Sequence, residues 1–237
     1  MKNLRYLIFL LFSLNVFSQN SPQFFEQADK FFSSYINNGL VDYKTIKNNA
    51  KDLEGLISLS DAVSVDDLDI LTQKAFWINV YNVIVIKSVI ENYPVESPLS
   101  ISGFFDKKKH TVGMEKLTLN DIENDKIRSR FNDSRVHFVL VCAGLGCPPI
   151  INKAYLPEIL DTQLERQTRL ALNDSKFIRL NERKSKVAIS EIFKWYLNDF
   201  ATSQSELINY INSYRDEKIP TDYKLEYYPY DWKLNKI

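Results

Sequence analysis

An α+β domain, with helices packed around a long central helix and a small, partly antiparallel sheet, is the fold class this sequence predicts. Three observations carry it. Ala75 to Ile90 (AFWINVYNVIVIKSVI) is apolar nearly all round, the mark of a helix enclosed by the rest of a fold. Phe177–Leu180 and Lys186–Ile189 read as a hairpin around Asn181–Lys184. Helical and strand patterns are mixed without any regular βαβ alternation, which places the chain in the α+β class.

The first residues read as an address. Lys2 and Arg5 flank the start of a twelve-residue apolar run, Tyr6 to Phe17, and Ser18 supplies a small residue for cleavage. The run falls short of the roughly 20 residues that a spanning helix needs. Residues 1–18 are therefore expected to be a signal peptide, and residues 19–237 a single globular domain. Its destination is the periplasm or the medium, with no stable membrane insertion after cleavage. Basic and acidic residues balance at 30 each, so no basic field exists to attract nucleic acid.

Ser21-Pro22 opens the first helix, which carries Phe24, Phe25, Ala28, Phe31, Phe32, Tyr35 and Ile36 at helical spacing and ends at Asn37-Asn38-Gly39. A second helix is predicted over Tyr43–Leu59. The third starts from a capping box, Ser64 with Asp67, and runs to about Asn92, where Pro94 forbids more. Within it Asn79 and Asn82 lie three apart on one apolar face, so both amides point into protein and need partners.

Short strands follow around a turn at Gly113-Met114, with a solvated lysine run at 107–109 and an exposed His110 beside it. Thr118 with Asp121 makes another capping box, opening a helix over 119–131. Leu119, Glu123, Ile127 and Phe131 share one row of that helix, which sets Glu123 on the apolar stripe, where a carboxylate needs a donor. Beyond the central stretch a helix is predicted over 156–172, with Ile159, Leu160, Leu164 and Ala171 on one side. Ser190 caps a short helix, another runs over 206–214, and 228–235 ends the chain as an aromatic strand or extended segment.

The chemistry concentrates in Val136–Ile150 (VHFVLVCAGLGCPPI). Val136–Val141 has the composition of a fully buried strand, and the loop after it holds both cysteines, two of the six glycines and the only Pro-Pro. A thiol nucleophile needs a histidine within reach and a third group to orient the ring. Along a strand His137 and Cys142 would stand roughly 16 Å apart on opposite faces. A working pair then requires a shorter strand, or His110 as the partner. In an exported chain the two cysteines can equally form a disulfide that staples the loop. Two cysteines and at most two histidines make a poor metal set, and no phosphate-cradling or dinucleotide motif occurs, so no metal or cofactor is expected.

The blocks AFWINVYN (75–82), LNDIEN (119–124), RVHFVLVCAGLGCPPI (135–150), ISEIFKWYLNDF (189–200) and YDWKLN (230–235) resemble the family known as domain of unknown function 547, in the family's order and over about 68–235. The family pattern matches here at Asn79, Asn82, Glu123, His137, Cys142, Cys147 and Pro148. Asn124 departs from it, since the family often carries a histidine there. The resemblance implies a single domain, often exported in bacteria, and brings no activity with it.

Two readings of function result. In the first, a thiol-dependent hydrolase or transferase acts on an amide or ester in the cell envelope. Cys147 is its nucleophile, His137 its base, Asn79 or Asn82 orients the ring or an oxyanion, Glu123 is a supporting acid, and Cys142 is counted with the site. In the second, the same groups form a buried polar network or a disulfide that fixes the Cys-Pro-Pro loop of a non-catalytic binding module. The partner in either case is an unidentified substrate or envelope ligand.

Overall fold

The computed structural model describes residues 20–237, so the signal-peptide reading of residues 1–18 lies outside the described residues. The architecture is the expected α+β class. α1 (Asn20–Tyr35) buries Phe24, Ala28, Phe31 and Phe32 and leads into a two-residue hairpin, β1 (Ile36–Asn37) and β2 (Leu40–Val41). Asn38 and Gly39 turn it with φ of 50° and 80°, the left-handed pair that such a tight turn demands.

The helix predicted over Tyr43–Leu59 is two helices, α2 (Tyr43–Asn48) and α3 (Lys51–Asp61). Asn49 breaks it at φ −130° and ψ 63°. Its amide hydrogen-bonds the last turn of α2, and its side chain donates to the Tyr35 hydroxyl at 3.3 Å. Asparagine competes with helix in this way wherever its side chain finds a better partner.

α4 (Ile70–Asn92) is the centre of the molecule, buried from Gln73 to Ile90 except at Lys87. Its cap is Asp69, which accepts from the amides of Leu71 and Thr72 at 3.0 and 3.1 Å. The predicted box at Ser64 and Asp67 is instead a side-chain pair at 2.6 Å on a short 3-10 turn, Val65–Asp67. No helix among the described residues is long and apolar enough to cross a membrane.

β3 (His110–Val112) and β4 (Glu115–Leu117) pair antiparallel about Gly113 and Met114, both at positive φ. His110 is buried, not exposed. The strand alternation turns His110 and Val112 inward and Thr111 outward, and this outweighs the lysines that precede them. Thr118 and Asp121 form the expected capping box, opening α5 (Leu119–Asp121). The helix continues without a break through a π-helical stretch, Ile122–Arg128, into α6 (Ser129–Phe131).

Val136–Val141 is not a strand. A 3-10 turn, Ser134–Phe138, is followed by buried irregular backbone that joins no sheet among the described residues. Its apolar composition is explained by position. Val136, Val139 and Val141 pack into the cluster around α4, whereas Phe138 packs into a second cluster with Phe177, Phe193 and Phe200. Downstream, a 3-10 turn over Pro157–Ile159 precedes α7 (Leu160–Asn173), and Ile159 is exposed rather than on the buried side.

The second cluster rests on a three-stranded sheet of β5 (Ile178–Asn181), β6 (Lys186–Ser190) and β7 (Lys224–Tyr228). The predicted β5–β6 hairpin is antiparallel and β7 joins β6 in parallel. Between β6 and β7 run α8 (Ile192–Trp195), α9 (Leu197–Phe200) and α10 (Gln204–Tyr214), the last capped by Ser203. Residues after β7 cross back as an extended segment, in which Leu234 bridges Gly144 and Lys236 bridges Val41.

His110 gives a pH prediction. Burial, with Lys87 and Lys108 nearby, lowers its pKa from 6.5 to about 4. The folded state then binds fewer protons than the unfolded one between these values. Its contribution is complete above 6.5 and falls away as pH drops toward 4. Urea midpoints measured from about pH 7 to about pH 4.5 should show His110→Phe losing about 2 kcal/mol less stability than the parent. An identical pH slope in the two proteins would contradict the burial of this imidazole.

Candidate functional site

Polar groups converge where α4, the π-helical stretch, the 134–138 turn and the chain's last residues meet. A cavity of about 420 Å³ opens there, and Glu123, His137, Cys142 and Cys147 all line it. A larger groove of about 1240 Å³ passes the other side of Cys147, but it contains neither Glu123 nor His137. The smaller cavity is therefore the candidate site.

Glu123 enters from the π-helical stretch, a local widening of the helix that recurs at functional positions. Its side chain is buried and accepts from the Tyr81 hydroxyl at 3.1 Å. Burial first, and the Glu123 charge after it, push the Tyr81 and Tyr196 phenols well above the usual tyrosine range, so they remain donors.

His137 stands on the 3-10 turn with its ring 4.1 Å from that of Tyr196. Its Nε2 contacts Asp199 Oδ2 at 2.7 Å. Arg128 grips the same carboxylate with two donors, Nε at 2.7 Å and Nη2 at 2.9 Å, and lies over the Tyr196 ring at 4.7 Å. The hydrogen bond from His137, joined by those of Arg128 and opposed by burial, holds Asp199 well below the usual carboxylate range. The imidazole is thus oriented by a fixed anion, the arrangement that suits either a base or a rigid hydrogen-bonding wall.

Cys142 and Cys147 are joined as a disulfide. Bonded in this way, Cys147, the expected nucleophile, carries no thiolate. Around it the loop lies along the last residues of the chain. Leu145 and Gly146 donate to the carbonyls of Lys233 and Asp231, both at 2.8 Å, and Asn235 donates to Ala143 at 2.9 Å. Gly146 is required by this approach, since a Cβ there would stand 2.9 Å from the Asp231 amide and the Tyr230 ring. The Tyr230 hydroxyl donates to Cys147 Sγ at 2.9 Å, as does the Cys142 amide.

Glu123, His137, Cys142 and Cys147 are therefore brought together as the sequence suggests, although by a different path. The turn over Ser134–Phe138 replaces the strand that would have held His137 and Cys142 apart on opposite faces. His110 lies against Ser88 of α4 and takes no part in the cavity lining. Asn79 and Asn82 do not reach the cavity either, so neither orients the imidazole or an oxyanion. Asn79 bonds the carbonyls of Ala75 and Tyr155 and the amide of Tyr155, at 2.8, 2.7 and 2.9 Å. Asn82 bonds the carbonyl of Val139 and the amide of Val141, both at 2.9 Å.

The orienting residue is Asp199, which sequence reasoning missed together with Arg128, Tyr81, Tyr196 and Tyr230. Four of these five lie inside the quoted blocks, at 75–82, 189–200 and 230–235, so the signal was position within a block rather than residue type. Trp195, Trp232 and Phe105 add aromatic walls. Among the described residues no group of three or more His, Cys, Asp or Glu is placed to hold a metal ion.

Fold and site together define an α+β domain with one aromatic-walled cavity floored by a disulfide, a carboxylate and an oriented imidazole. Residues 65–170 match the family described as protein of unknown function, DUF547, which bears out the resemblance drawn from the sequence blocks. The matched stretch carries Tyr81, Glu123, His137 and both cysteines, while Trp195, Tyr196, Asp199, Tyr230 and Trp232 lie beyond it. Comparison with curated proteins and with solved structures returns no match.

Removing the Asn79 amide strands the peptide groups of Tyr155 in a dry interior. Asn79→Leu should therefore lower stability by about 1–3 kcal/mol in urea denaturation. A midpoint equal to that of an exposed control such as Asn48→Leu would contradict the bracing role.

Proposed function

We propose that the protein is a ligand-binding module of the cell envelope, exported by its N-terminal segment, and that the aromatic-walled cavity is the binding site. The observation that carries this reading is the cavity mouth. Trp195 is 45% exposed there, with its ring stacked at 5.9 Å on that of Trp232. An exposed indole at the rim of a cavity, with a buried carboxylate inside, combines an apolar platform with a strong acceptor. Sugar rings match that combination, because they present an apolar face and hydroxyl donors on one small frame. The Cys142–Cys147 bond fits the same reading, since it removes the thiolate and holds one wall of the cavity in place.

A thiol-dependent hydrolase or transferase acting on amide or ester bonds is the second reading. One specific observation favours it: His137, already oriented by Asp199, lines the same cavity as Cys147. On this reading the reduced protein is the active form. Hydrolysis of a nitrophenyl ester should then appear on reduction and vanish in Cys147→Ala.

The binding reading is tested with chitobiose as the probe. Tryptophan fluorescence of the oxidised protein should change saturably on titration, and Trp195→Ala should weaken the apparent affinity about tenfold, the loss expected for one stacking ring. A flat titration, or an affinity unmoved by Trp195→Ala, would remove the sugar reading.

A further inference from the structure

We propose that the Cys142–Cys147 disulfide is an exchange site for small aminothiols, with Cys142 the sulfur that is attacked and Cys147 the sulfur that leaves. Both cysteines are partly exposed and line the open cavity, so an incoming thiol has access to the bond.

The two sulfurs are not equivalent. Cys147 Sγ receives two donors, the Tyr230 hydroxyl and the Cys142 amide, each at 2.9 Å. Cys142 Sγ has only a 3.1 Å contact with the same hydroxyl. Hydrogen-bond donors aimed at one sulfur stabilise the thiolate that forms there when the bond breaks, and a better-stabilised thiolate leaves faster. Burial pushes the Tyr230 phenol far above its ordinary range, which keeps it a donor.

The bond is also redundant as a staple. It closes a short loop that is already held by the backbone bonds of Ala143, Leu145 and Gly146 to the last residues of the chain. A crosslink over so few residues restricts the unfolded chain little. Opening it leaves the loop anchored, which is what a reversible exchange needs.

The class of thiol comes from charge. Asp106 and Glu123 line the cavity together with six aromatic residues, and no lysine or arginine is in its lining. A thiol that carries an ammonium group is attracted by the carboxylates and by the ring faces, and an anionic thiol is repelled. In the step itself, the thiol enters as thiolate after losing its proton to water. It forms a bond to Cys142 Sγ, the Cys142–Cys147 bond breaks, and the electron pair leaves on Cys147 as a thiolate. Charge and redox state balance without any further oxidant.

This inference uses the cavity but not the sugar reading. Exchange in a protein that ignores chitobiose would support it while removing that reading. The experiment is to treat the oxidised full chain with cysteamine, quench in acid, alkylate free thiols with N-ethylmaleimide and map the peptides by mass. Cysteamine is expected on Cys142 and the maleimide on Cys147. Tyr230→Phe should slow adduct formation about tenfold, as loss of one hydrogen bond to a charged group implies. Mercaptoacetate should react more slowly than cysteamine at equal thiolate concentration. Adduct on Cys147, no adduct at all, or equal rates for the two thiols would overturn the proposal, and all three outcomes are read on the unmutated protein.

Discussion

Two carboxamides inside α4 hold the rest of the molecule in register. Asn79 and Asn82 are each at most 1% exposed, in a helix whose other interior positions are largely apolar. Each uses its carbonyl oxygen and its amide nitrogen on the backbone of a distant loop, at Tyr155 for Asn79 and at Val139 and Val141 for Asn82. A buried peptide group without a partner costs about 1–3 kcal/mol. Supplying partners from a helix side chain lets the loops run through the interior without a neighbouring strand. That constraint explains why Val136–Val141, for all its apolar composition, is irregular backbone.

The cavity follows from it. With Val139 and Val141 bound to α4, the chain before them turns to set His137 on one side, and the chain after them sets Cys142 and Cys147 on another. Tyr81, one position before Asn82, reaches Glu123 on the adjoining π-helical stretch. The last residues then close the site, since Tyr230 contacts both sulfurs and the backbone beyond it pairs with the cysteine loop. Arg128 and Asp199 complete a line of charge that ends at His137. The carboxylate of Glu123, the imidazole of His137 and both sulfurs are thereby each held by another polar group, as a buried network requires.

Much of this was legible from residue order. The enclosed α4, the inward face of Asn79 and Asn82, the capping box at Thr118 and the β5–β6 hairpin all depend on local periodicity and turn chemistry, which a sequence displays directly. What failed depended on tertiary partners. Composition alone cannot distinguish a strand whose amides pair with another strand from a loop whose amides pair with Asn82, so Val136–Val141 read as a strand. His110 took its expected exposure from neighbouring lysines, whereas the strand alternation decides which way it faces. Asp199 was passed over because its block marks a position but no chemistry, and its meaning comes from His137 and Arg128, 62 and 71 residues away.

The claim on which the account rests is that Asn79 and Asn82 bind loop backbone in a dry interior. Native-state hydrogen exchange reads it most directly, because the amides of Tyr155 and Val141 donate to those two side chains and to nothing else in a sheet or helix. The account predicts that both amides exchange as slowly as the interior of α4, and that Val141 alone speeds up in Asn82→Leu. Exchange of either amide at the rate of an open loop in the unmutated protein would contradict it.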